Sequence, residues 1–157
     1  MVKVPLERSL ERIAAEAVLG IVDWKSLSAW ASVELARPEG DDRVLDLAIM
    51  LSPDSIEVEE TLQRVLVACG IGRMDSVRAA EIELAESASD ILNGNDNVLD
   101  ATRRLNDVWL RQKATRGVLT HLHDLVNLYD EPFEVDPLSV GYLGDLEKYF
   151  LDVALPD

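Results

Sequence analysis

Between Asp96 and Tyr129 this chain carries a proline-free stretch that, as one unbroken helix, would outgrow a small domain. Apolar residues recur at Val98, Ala101, Leu105, Val108 and Trp109. They resume at Val118, Leu119, Leu122, Leu125, Val126 and Tyr129, again with the three-and-four spacing of one helix face. Between the two sets, Arg111-Gln112-Lys113-Ala114-Thr115-Arg116-Gly117 offers one small apolar residue. At about 1.5 Å per residue the whole stretch would measure roughly 50 Å, against roughly 40 Å across a compact domain of this length. The chain therefore has to bend. Gly117, which costs about 1 kcal/mol relative to alanine inside a helix, is the expected place for a kink.

The rest of the chain reads as shorter helices. Leu6, Leu10, Ile13, Ala14, Ala17, Val18 and Ile21 mark the first, with Pro5 in its first turn and Gly20 at its end. Asp23 is placed to cap a second, with Trp24, Leu27, Trp30, Ala31 and Leu35 inward, and Arg37-Pro38-Glu39-Gly40-Asp41-Asp42 breaks it. The run Val44–Leu51 has one charge in eight residues. Asp42 as a cap, its helix-forming composition and the lack of a partner strand favour a short buried helix. Ser52-Pro53, or Asp54 with Glu57, starts the next, whose inward face is Val58, Leu62, Val65, Leu66 and Cys69 and whose stop is Gly70. Asp75 opens a fifth, facing inward through Val77, Ala80, Leu84, Ala85, Ala88, Ile91 and Leu92, and Asn93–Asn97 ends it and caps its successor. The segment from Asp130 to Gly144 holds two prolines and two glycines, too broken for a long helix, and a last helix is expected over about 143–153.

These signals predict an all-α fold: a bundle of six to eight helices with short connections, forming one domain over residues 1–157. A chain of this size buries about 70% of its unfolded surface. Because only 5% of residues are aromatic, aliphatic side chains and alanine must fill the core. The single cysteine, Cys69, excludes an internal disulfide and fits a reducing compartment. The N-terminus reads neither as a secretory signal nor as a transit peptide, and no run is long enough to span a bilayer, so the cytoplasm is the expected location.

Chemistry-bearing motifs are scarce. His121 and His123 are two apart, so on a helix they point about 200° apart, whereas a zinc helix needs histidines four apart. His121 with Asp124 offers two ligands and no recognisable remainder. Glu57 with Glu60, and Glu83 with Glu86, each share a helix edge opposite an apolar face, where solvated charge is the ordinary outcome. There is no Gly-x-Ser-x-Gly, and Gly70-Ile71-Gly72-Arg73 lacks the third glycine and preceding strand of a dinucleotide fingerprint. No catalytic residue, metal or cofactor is assigned from these patterns.

Charge is the informative feature. The net charge of −15 disfavours nucleic acid and anionic membranes and favours a basic partner through long-range steering. It is also segregated. Residues 39–60 hold eight acids and one base, and residues 124–157 nine acids and one base. Between them Arg103, Arg104, Arg111, Lys113 and Arg116 oppose a single Asp107, as a docking patch or as internal charge balance. The profile resembles bacterial immunity proteins and antitoxins, small acidic helical proteins that cover the active sites of cationic toxins; the likeness is compositional and transfers no residue. The expectation is a non-enzymatic protein that binds a basic protein through Asp41, Asp42, Glu57, Glu60, Asp130, Glu131, Glu134 and Asp136. The alternatives are a metal-binding or hydrolytic enzyme using His121 and Asp124, or a structural or homo-oligomeric regulatory domain.

Overall fold

The computed structural model describes residues 6–37, 42–49, 55–130 and 140–155. Among the described residues there are eight α-helices, two short 3-10 turns and no strand, so the helical periodicity does form an all-α bundle. Contacts divide the chain into two compact units: Met1–Ala14 with Val22–Arg73, and Ala15–Ile21 with Met74–Asp157.

The first unit takes the start of α1 (Leu6–Leu19), then α2 (Trp24–Ala36), a 3-10 turn at Asp42–Val44, α3 (Leu45–Ala48) and α4 (Ser55–Ala68). Leu10, Ala14, Leu27, Ala31, Val44, Leu47, Val58, Leu62, Val65 and Leu66 are its buried apolar residues. Trp30 and Leu35 are half-buried, and the side chain of Trp24 lies outside the described set. Two expectations need correction. Asp42 does not cap α3: it opens the 3-10 turn, which places Val44 at the cap position with no side-chain hydrogen bond. Of the run Val44–Leu51, only Val44 and Leu47 are buried, while Leu45 and Ile49 are exposed and residues 50 and 51 lie outside the described residues. The start signal at Ser52-Pro53 lies outside them too. Gly70 ends α4 as expected, at φ +76°, with Ile71 N–H donating to the Leu66 carbonyl at 2.9 Å.

The second unit holds the end of α1, then α5 (Ser76–Leu92), α6 (Val98–Arg111), a 3-10 turn at Lys113–Thr115, α7 (Arg116–Asp130) and α8 (Val140–Ala154). Asp75 caps α5 by accepting the Arg78 N–H at 2.8 Å, and Asn97 caps α6 by accepting the Asp100 N–H at the same distance. Leu105, Val108, Leu119, Leu122, Leu146 and Phe150 are fully buried at the centre. The central stretch is interrupted within its basic elbow. The break is centred on Gln112, whose extended φ −125° and ψ 100° end α6, while Gly117 is the second residue of α7. The elbow is tied to the end of α1: Gln112 Nε2 donates to the Val18 carbonyl at 3.3 Å, and a Cβ on Gly20 would lie 3.4 Å from Arg111 Nη1.

Two helices differ from the sequence reading. α5 is rotated, so that Ala79, Ala80, Glu83, Leu84, Ser87 and Ala88 are buried while Val77, Ala85 and Leu92 are exposed. α8 begins at Val140 and takes in both Gly141 and Gly144. Burial of Leu146 and Phe150 against the core outweighs the glycine cost of about 1 kcal/mol each.

Candidate functional site

Of the eight acids expected to meet a partner, Glu57 and Glu60 lie together, both exposed on α4, and the 3-10 turn that Asp42 opens packs against that helix. Asp130 is the last residue of α7, in the other unit, with its side chain outside the described set. Asp41, Glu131, Glu134 and Asp136 also lie outside the described residues. The outward face of α4 adds residues that helical periodicity had not singled out. Ile56 is 68% exposed and Val67 74%, each apolar and off the core-facing stripe. Ile56, Glu59, Glu60, Gln63 and Arg64 line a shallow depression of about 490 Å³. Ile56 thus stands exposed among carboxylates on one face of α4.

The second unit contains a charged network that the sequence reading placed in solvent. Glu83 is 0% exposed, inside the rotated face of α5. Arg104 on α6 reaches it with Nε at 3.5 Å, and its Nη2 donates to Ser87 Oγ at 3.0 Å and to Asp96 Oδ2 at 2.9 Å. The Ser87 hydroxyl donates to Glu83 Oε1 at 3.4 Å. A buried carboxylate without such partners would cost several kcal/mol. The network is therefore a structural clamp between α5 and α6, and it occupies one of the elbow-side cations internally. Arg111 is likewise paired, with Asp107 at 2.9 Å.

The histidines are also engaged. His123 stacks on Trp109 with ring centroids 3.4 Å apart. Its Nδ1 lies 2.8 Å from Asn106 Oδ1, and the Asn127 amide lies 3.1 Å from its Nε2. That pairing suits the tautomer with the proton on Nδ1, donating to Asn106 and accepting from Asn127. Arg116 lies over the same indole at 4.3 Å and donates from Nε to the Trp109 carbonyl at 3.2 Å. Exposed His121 stacks on Tyr149 of α8 at 5.6 Å, and burial pushes the Tyr149 phenol up to about 12. Asp124 is exposed, and among the described residues no group of three or more histidine, cysteine, aspartate or glutamate side chains converges as a metal site.

An open cleft of about 700 Å³ lies between the end of α5, the start of α6 and α8. Leu92, Leu99, Leu143 and Leu151 supply its apolar lining, and Asp96, Asp100, Arg103 and Glu147 its charged groups. No family model, curated protein or solved structure matches this chain. No helix of the described residues is long and apolar enough to cross a membrane.

Proposed function

We propose that this chain is a non-enzymatic binding protein that docks a basic polypeptide, with the outward face of α4 as its contact surface. The observation that supports the reading is the exposure of Ile56 beside Glu57, Glu59 and Glu60 on one helix. The apolar side chain offers an anchor, the carboxylates offer charge complementarity, and the net charge of −15 raises the encounter rate with a cation-rich partner. A toxin-neutralising immunity protein acting in the cytoplasm is the more specific form of this proposal, drawn from the acidic composition and the single cysteine.

Affinity capture from the native host tests it. Purified protein and the variant Ile56→Ser with Glu59→Lys and Glu60→Lys are compared at about 0.1 M and about 1 M salt, where the Debye length falls from about 10 to 3 Å. A basic polypeptide retained by the native protein, released by salt and ignored by the variant is the expected result. Equal capture by both proteins, or no salt-sensitive basic partner, would contradict the proposal.

A further inference from the structure

We infer that the cleft between α5, α6 and α8 is a second and separate docking site, which takes a basic amphipathic helix carrying leucine-type side chains. Leu92 and Leu151 line it while remaining 46% and 43% exposed, so two large apolar side chains from different helices meet solvent at one place. On α8 the cleft is lined at every fourth residue, by half-buried Leu143 and by exposed Glu147 and Leu151. From Leu143 to Leu151 a helical rise of about 1.5 Å per residue spans roughly 12 Å, the length over which a helix of about two turns presents its i, i+3/i+4 and i+7 anchors.

Charge selects among occupants. Asp96 is already held by Arg104, which leaves Asp100 and Glu147 against Arg103 in the lining. The groove thus keeps an acidic excess inside a chain of net charge −15, and a second copy would bring that same charge to the contact. Apolar side chains flanked by lysine or arginine satisfy both features; an acidic or purely polar segment satisfies neither.

The probe is a fluorescein-labelled synthetic helix of leucine and lysine with the leucines on one face. It is titrated against the full chain beside a scrambled peptide of identical composition and charge. The striped peptide is expected to bind at least tenfold more tightly than the scrambled one. Leu92→Asp and Leu151→Asp, both at partly exposed positions and checked for helicity by circular dichroism, should each weaken it about tenfold. Arg103→Glu should tighten it at least twofold, and Ile56→Asp on α4 should leave it unchanged, which separates this site from the surface proposed above. Equal binding of the two peptides would overturn the inference, as would indifference to both leucine variants. So would a self-associated chain in sedimentation that Leu151→Asp returns to monomer, because the groove would then belong to a second copy.

Discussion

His123 lies flat on Trp109, with planes 8° from parallel, and so closes α7 against α6 across the elbow at Gln112. The contact joins residues on consecutive helices and is held at both ring nitrogens by the amides of Asn106 and Asn127. Aromatic stacking of this kind contributes about 0.5–1.5 kcal/mol beyond area burial. His123→Ala should therefore lower stability by about 1–2 kcal/mol in urea unfolding. His123→Phe keeps the ring and loses only the amide contacts, so it should retain more of the stability than alanine does. Equal losses in the two variants would show that the stack contributes nothing.

The Glu83–Arg104 pair makes a sharper prediction, because its two ends differ in exposure. Arg104→Ala takes an ion-pair partner from a buried carboxylate and should cost at least about 2 kcal/mol. Replacing both residues together, with Glu83→Leu and Arg104→Leu, removes the buried carboxylate as well and should recover part of that loss. A double-mutant cycle on the native chain, Glu83→Leu, Arg104→Leu and the double variant measures the coupling; simple additivity would mean that the pair is not a clamp.

How much of this was legible in the sequence depended on how local the cause was. The starts of α5 and α6 were legible because Asp75 and Asn97 bond to amides three residues away, and the stops at Gly20 and Gly70 because each sits at a positive φ just past a helix end. The rotation of α5 was not legible. Hydrophobicity favoured Val77 and Leu92, but what draws Glu83 inward is an arginine on another helix. The bend was expected at the residue of lowest helix propensity, yet it falls at Gln112, whose side chain is held by the Val18 carbonyl far back along the chain. For the candidate surfaces, the exposure of Glu57 and Glu60 followed from periodicity. The cleft did not, since its lining comes from three helices.

The caps themselves are testable. Asp75→Ala and Asn97→Ala each remove a side-chain acceptor for a helix-terminal amide and should each cost about 1 kcal/mol. Glycine at the same positions should cost only a few tenths of that amount. Thermal or urea unfolding of the four variants distinguishes capping from a change in overall packing.

Tyr149 predicts an alkaline response. Burial raises its folded-state pKa from 10.0 to about 12, so the folded chain holds the phenolic proton more tightly than the unfolded chain does. The associated stability, at most about 3 kcal/mol, is fully present below pH 10 and is lost as the pH rises through about 12. Tyr149→Phe should flatten the fall in stability between those values. An unchanged alkaline limb in the phenylalanine variant would mean that another group governs it.

The tie between Gln112 and the end of α1 has a consequence for how the polypeptide can be divided. Ala15 and Leu19 belong to the core completed by α5 to α8, although more than fifty residues of intervening chain separate them from Met74. A fragment beginning at Met74 would carry an apolar slot where Leu19 belongs and an amide at Gln112 with no carbonyl to meet. A synthetic peptide spanning α1 and Gly20 supplies both, so the natural assay of that core is the recovery of helicity when the two pieces are mixed.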